Sequence, residues 1–281
     1  MNNDSDPARV EEMDDVCALP LVRRLAATLD MDPHRLRAGD PLPRGWHVCL
    51  FTVDTRQSLL RPDGAAGLGV TLPDLGLPRL MMGGRRILFS GDIPIGAAVR
   101  RESRRTAVIP KEGRSGRFVI VTIQHDVFVQ GEQHPVIEEQ QDYVMRSAAE
   151  PAGATGDRLM GETQRQRATA TATRTVVADE TLLFRYSAIT FNPHRIHYDF
   201  PYATTHEGYP ALVVNGGIPS LLLIQLFRTE AHRQPVSVSA RNVAPLLCGQ
   251  PMQLNALREG RTWRMWAQDS NGRLALDASM E

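Results

Sequence analysis

A chain of 281 residues is too long for one small domain and suits two compact units of roughly 140 residues each. Apolar residues make up 42% and charged residues 23%, the balance of a soluble globular protein. Lys plus Arg number 32 and Asp plus Glu 32, so no net field draws the chain to nucleic acid or to an anionic membrane. The longest apolar run, Ile218 to Ile224, is far short of the ~18 residues that cross a bilayer. The opening Met1-Asn2-Asn3-Asp4-Ser5-Asp6 is polar and acidic, the opposite of a secretory signal. Cys17, Cys49 and Cys248 lie far apart with no CxxC spacing. That excludes a disulfide framework or a zinc site as an expectation and makes the cytoplasm the expected compartment.

In chain order, residues 1–15 read as a charged, disordered tail. Leu19 to Leu29 carries apolar residues at helical steps, with Pro20 tolerable in the first turn. Trp46 to Val53 is a short buried run, strand or helix. Repeated Gly and Pro across 61–84 predict a long loop that lines or covers a site. From Arg86 the texture is that of strands: Arg86–Phe89, Ala98–Ser103, Thr106–Ile109, Arg117–Val129 and Val136–Arg146, separated by turn signals, read as an antiparallel meander. A polar Ala/Thr/Gly stretch at 151–175 reads as a linker. The second half repeats the order, with an apolar helix from about Gly217 to Phe227 and strands at Val236–Val243, Met252–Leu257 and Thr262–Ala267. Ser270-Asn271-Gly272 reads as a hairpin turn. The expected class is α+β, with units at 16–150 and 176–281.

The densest polar constellation runs from Phe184 to Asp199, with His194 and His197 three apart among Asn192, Arg195 and Tyr198. Three readings stand side by side. The His-x-x-His spacing suits a metal on a helix, although Pro193 and the lack of a third ligand argue against it. The segment also reads as a solvated surface loop, or as acid/base chemistry by a histidine held in a cleft. Some twenty residues on, Asn215-Gly216-Gly217 opens the apolar helix. Bare amides at such a start stabilise a carbonyl oxygen that gains charge. Alternatively, Asn215 is an N-cap and the glycines allow close packing.

Thr190 to Asp199, Tyr202-Ala203 and Val213-Val214-Asn215-Gly216 together resemble the hydratase motif of the MaoC-like, R-specific enoyl-CoA hydratase superfamily. More closely, Phe184 to Asn192, His194 to Asp199 and Glu207-Gly208-Tyr209-Pro210 resemble the hydroxyacyl-thioester dehydratase type 2 branch, which includes mesaconyl-C4-CoA and itaconyl-CoA hydratases. Gly39 to Pro43, Gly83-Gly84-Arg85, Lys111 to Gly116 and Glu138 to Asp142 agree with that branch. The resemblance spans about residues 18–270. It implies a double hot dog, each half a long helix wrapped by an antiparallel sheet, with the active site between the halves.

The resemblance also implies a function: reversible hydration of a 2-enoyl-CoA, itaconyl-CoA or mesaconyl-C4-CoA to citramalyl-CoA. Alternatives are a dehydratase of 3-hydroxyacyl thioesters in fatty acyl chains and an inactive acyl-CoA-binding protein. No metal, cofactor, nucleic acid or membrane is called for, and a homo-oligomer is left open. Carried over without gaps, the motif puts its catalytic His at His197, its Asp on Asn192 and its Asn on His194. An amide cannot take a proton as a carboxylate does. His197 is therefore expected as the base, Asn192 as the group that orients water, and Gly216 as the oxyanion amide. His194 or Asp199 would tune His197, and Asn215 would support the helix start. Cations for CoA and for a substrate carboxylate are sought in Arg195, Lys111, Arg114, Arg117, Arg85 and Arg185.

Overall fold

Ten strands form a single antiparallel sheet in the order β1-β3-β4-β5-β2-β7-β10-β9-β8-β6. The structure is a computed structural model, and it describes residues 9–72, 75–113, 116–147 and 169–281. The first half contributes β1 (Val10–Val16), α1 (Leu19–Thr28), β2 (Arg79–Phe89), β3 (Ala98–Gly113), β4 (Gly116–Val129) and β5 (Ile137–Arg146). The second contributes β6 (Ala172–Val177), α2 (Glu180–Ile189), α3 (Gly217–Ala231), β7 (Ser237–Asn242), β8 (Pro251–Glu259), β9 (Thr262–Gln268) and β10 (Leu274–Met280). Read inward from each outer edge, the orders 1-3-4-5-2 and 6-8-9-10-7 are the same pattern. The halves are therefore structural repeats, joined where β2 pairs with β7 from Gly84↔Arg241 to Leu88↔Ser237.

The halves differ in what they wrap. In the second, α3 is apolar almost all round and buries Ile218, Leu221, Leu223 and Phe227 against the sheet, as a central helix must. The first half has no such helix among the described residues, which corrects the expectation of one long helix per half. The reason is compositional. The chain between α1 and β2 holds Pro41, Pro43, Gly45, Pro62, Gly64, Gly67, Gly69, Gly76 and Pro78, which deny a helix its hydrogen bonds and raise its entropic cost. What forms instead are three short 3₁₀ turns, Pro33–Arg35, Trp46–Cys49 and Gln57–Leu59, of which the second buries Trp46 at 2% exposure. An extended loop follows, whose Leu68, Val70, Leu72 and Leu77 cover Val119, Val121, Ile123 and Met145.

Two boundaries also move. Residues 10–15 belong to β1, not to a disordered tail: the acidic run is the cross-strand partner of a basic one on β3, with Asp14 opposite Arg100 and Glu12 3.5 Å from Arg100. The C-terminal end of the expected linker, from Ala172, is strand β6; most of the rest lies outside the described residues. Thr106–Ile109 continues Ala98–Ser103 as one strand, with a register shift between Arg105 and Ala107. Among the described residues no helix is long and apolar enough to cross a membrane, and the three cysteines are free and buried.

Candidate active site

The polar constellation folds at the C-terminal end of α2. Thr190 closes that helix, its hydroxyl donating to Tyr186 O at 2.8 Å. Phe191 then reverses the chain at φ +47°, a left-handed conformation that costs a bulky residue energy and marks a constrained turn. The turn presents Asn192, whose Oδ1 accepts the His194 amide at 3.1 Å. A 3₁₀ turn, Arg195–His197, follows and places the His197 ring inside the protein, 8% exposed.

His197 Nδ1 lies 2.7 Å from Val213 O. A carbonyl only accepts, so Nδ1 carries the proton and Nε2 keeps its lone pair. Burial lowers the pKa of His197 to about 4, against the opposing pull of the Val213 carbonyl, with His194 adding to the drop. The ring is thus neutral near pH 7, in the tautomer a general base requires. His194 stands edge-on to it at 5.5 Å between centroids, its own pKa lowered mainly by burial.

Val213 leads directly to Asn215-Gly216-Gly217. The first amide engaged within the α3 turn is that of Ile218, on Asn215 O at 2.9 Å, so the Gly216 and Gly217 amides stand ahead of it at the positive end of the helix. Asn215 does not cap α3 through its side chain. Its Nδ2 donates to Ser187 Oγ at 3.1 Å, and its Oδ1 is buried without a protein partner. The neutral imidazole and the bare amides therefore sit on one continuous segment.

The first half closes over this segment. Arg195 N donates to Asp63 O at 2.9 Å and Arg195 Nη1 to Pro62 O at 3.3 Å. Gly64 abuts the Pro193 carbonyl. Arg61 hydrogen-bonds Pro78 O and pairs with Asp63. Arg79, on β2, pairs with Glu207 at 2.6 Å, and Tyr202 donates to the other Glu207 oxygen at 3.2 Å. Beside this pair opens a cavity of about 420 Å³, lined by Tyr209, Leu246, Asn271 and Arg273 among others.

The other sequence-derived residues disperse. Asp199 takes two hydrogen bonds from Arg195, at 2.8 and 2.9 Å, and caps the Tyr202 amide at 3.1 Å. The Tyr202 amide and then Arg195 lower its pKa. Arg195, thus bound, also stacks on the Tyr202 ring at 4.1 Å. Arg85 lies in the core, 3.5 Å from Glu139. Arg185 is exposed on α2, and Lys111 and Arg117 are exposed toward the free end of the β3–β4 hairpin. Arg114 lies outside the described residues. Among the described residues no cluster of His, Cys, Asp or Glu could hold a metal.

Sequence reasoning passed over a set of buried residues, His47, Ser103, His125, Glu139 and Tyr186, and the half-buried Arg101 among them. Tyr186 packs its hydroxyl against Gly217, and burial raises its pKa to about 12. Only the period-2 alternation of β3, β4 and β5 signalled that some charged residues face inward.

Two halves of one strand order, the second wrapped round a glycine-started central helix, make a frame of the hot-dog kind. The chain belongs to the hydroxyacyl-thioester dehydratase type 2 family, whose model matches residues 45–248. It is 38% identical over 275 residues to the mesaconyl-C(4)-CoA hydratase of Chloroflexus aurantiacus, covering 97% of this chain and 95% of that one. Among solved structures, HtdX of Mycobacterium tuberculosis superposes with a TM-score of 0.67 at 17% identity, over 97% of this chain and 99% of the other. A double-hotdog protein of the same organism gives a TM-score of 0.57 at 15% identity, over 99% and 96%. The fold is the double hot dog, and the protein is a hydro-lyase of the enoyl-CoA hydratase type.

Proposed function

We propose that the protein hydrates mesaconyl-C4-CoA to citramalyl-CoA, reversibly, with His197 as the single base. The observation that supports the mechanism is the bond from His197 Nδ1 to Val213 O, which leaves Nε2 unprotonated on a ring tied to the segment that leads into α3. Nε2 takes a proton from water, and the resulting hydroxide adds to the β-carbon of the enoyl thioester. Charge moves to the thioester oxygen, where the Gly216 amide holds it. The imidazolium then gives its proton to the α-carbon, so that one water has added across the double bond and the base is restored.

The Asn192 amide and the unpartnered Asn215 Oδ1 are the groups available to hold the water. Asn192 cannot share the base role, because an amide does not accept a proton at neutral pH. The open cavity beside Arg79 takes the CoA arm. The choice of mesaconyl-C4-CoA is supported by the near full-length likeness to the Chloroflexus enzyme. The reaction serves breakdown of a C5 dicarboxylate such as itaconate, in the cytoplasm.

The test is His197→Ala, assayed by the loss of enoyl-thioester absorbance with mesaconyl-C4-CoA. Removal of a general base costs roughly 10²–10⁴-fold in rate. Turnover within a few-fold of the parent would exclude His197 as the base.

A further inference from the structure

The two halves share a strand order, yet their inner faces differ in chemistry. Under α3 the face is apolar, with Leu254, Ala256, Met265, Ala267 and Leu276 buried. The inner face of the first half carries a polar seam instead: Arg85 on β2, Arg101 and Ser103 on β3, His125 on β4 and Glu139 on β5. Register sets Ser103 opposite His125 and His125 opposite Glu139. The seam divides the core. The main cluster reaches it at Val99, Val127 and Ile137, and a separate cluster lies beyond it at Val121, Ile123 and Tyr143. A structural core has no need of such a band, because an apolar face of the same shape is at least as stable.

The charges of the seam do not cancel. Glu139, 4% exposed, is approached by Arg85 at 3.5 Å and by His47 Nε2 at 3.0 Å. Burial would raise its pKa, but Arg85 and the His47 bond together hold it well below the ordinary range. His125 is neutral, its pKa lowered to about 4 by burial and then by Arg101, and its Nδ1 lies 2.8 Å from Ser103 Oγ. Arg101 has no carboxylate of its own: among the described residues it makes no ion pair. Its guanidinium stacks on Phe51 at 5.2 Å and lies 3.9 Å from Met13 Sδ, and its Nε is buried with no partner. Asp15, on the neighbouring strand, is engaged by the amides of Phe51 and Val16, each at 2.7 Å. Arg101 is half-buried, and Glu139 and Asp15 act on it through space without either pairing with it. A partly desolvated cation left without a direct partner is costly, and such an imbalance is found where a ligand supplies the missing partner.

We propose that this seam is the acyl-recognition pocket of the enzyme and that Arg101, beside Arg85, receives a free carboxylate carried by the acyl group of the substrate. The proposal rests on the hydratase reading and names its substrate class, a 2-enoyl-CoA whose acyl group ends in a carboxylate. The connection to the reacting centre runs through Arg85, which lines one small cavity together with Gly217. A guanidinium fork pairs both carboxylate oxygens, and the ligand then balances the second cation as Glu139 balances the first.

The experiment measures kcat/KM for mesaconyl-C4-CoA and for crotonyl-CoA, which lacks the carboxylate, in the parent, Arg101→Met and Arg101→Lys. Truncating one partner of a buried charge pair corresponds to roughly 30-fold or more. Arg101→Met is therefore expected to lower the mesaconyl-to-crotonyl ratio by that factor through KM, with partial recovery in Arg101→Lys. A ratio within threefold of the parent in Arg101→Met overturns the proposal, as does a large fall in Tm with no change of ratio, which marks a structural arginine. A parent enzyme with no preference for the carboxylated thioester removes the mesaconyl reading itself, before any variant is made. Should the Met variant not fold, the parent supplies the second measurement. Free mesaconate is expected to raise its Tm and crotonate is not; equal effects of the two acids count against the pocket.

Discussion

A Cβ placed on Gly217 would overlap the Tyr186 hydroxyl, which no rotation of the buried ring relieves, whereas a Cβ on Gly216 would stand 3.6 Å from the Asn242 side chain, an ordinary contact. Gly216 also has φ −58°, a value open to any residue. Close packing thus explains the second glycine and leaves the first to be explained by access to its amide. Gly217→Ala is expected to cost stability on the scale of overpacking, about 1–3 kcal/mol, visible as a lower urea midpoint. Gly216→Ala should leave that midpoint within about 0.5 kcal/mol of the parent, the scale of a surface substitution. With the Gly216 amide holding the thioester oxygen as proposed, the added methyl group would crowd the approach to it, and loss of one such donor costs roughly 10²–10³-fold in kcat. Full turnover in Gly216→Ala would leave that amide no part in holding the thioester oxygen.

At the scale of elements, the segment around Pro62-Asp63-Gly64 acts as a strap that the first half lays across the turn carrying the proposed base, His197. It is held by the Arg195 amide on Asp63 O and by Arg195 Nη1 on Pro62 O. Gly64 sits at φ +84° against the Pro193 carbonyl, so both conformation and space demand glycine there. Gly64→Ala is expected to lift the strap without unfolding the sheet. Protease cleavage near residue 64 and amide exchange at Arg195 should rise, and kcat/KM should fall about tenfold or more, as displaced catalytic groups do. Unchanged exchange at Arg195 would show that the contact carries no load. That this stretch is a loop was legible from its Gly and Pro density, although the loop expected over 61–84 ends where β2 begins at Arg79, and the strands of both halves were legible from their β-branched runs. The missing helix was not, because a repeat in strand order says nothing of what fills each half. Nor was the seam: Glu138-Glu139 and Arg100-Arg101 lie in segments that read only as strands, and the strand register shows which member of each pair turns inward. The irregular turn at His197 was legible from local residue types, but the ring's hydrogen-bond partner, the Val213 carbonyl, is a backbone atom that no side-chain pattern reports.

For the whole molecule, burying two neutral histidines ties stability to pH. His125 and His197 have pKa values lowered to about 4, mainly by burial, against about 6.5 in an unfolded chain. Above pH 6.5 both states are neutral at these sites and the folded state keeps its full advantage. Between 6.5 and 4 the unfolded chain binds protons that the folded one refuses, so stability falls as pH falls. A shift of this size corresponds to about 3 kcal/mol per histidine once pH passes below both values, a large part of the roughly 5–15 kcal/mol that holds a domain together. Protonation of Glu139, whose folded pKa is also depressed, adds to the loss below the ordinary carboxylate range. Urea midpoints taken from pH 8 to pH 4.5 should therefore be level down to about 6.5 and then decline. His194, its pKa also lowered by burial, adds to this balance. His125→Gln removes one proton from it and should make the decline shallower by up to about 1.4 kcal/mol per pH unit. A midpoint that stays level between pH 6.5 and 5 would mean that the two rings take up protons in the folded protein, and the neutral base at His197 would lose its basis along with the neutral wall at His125.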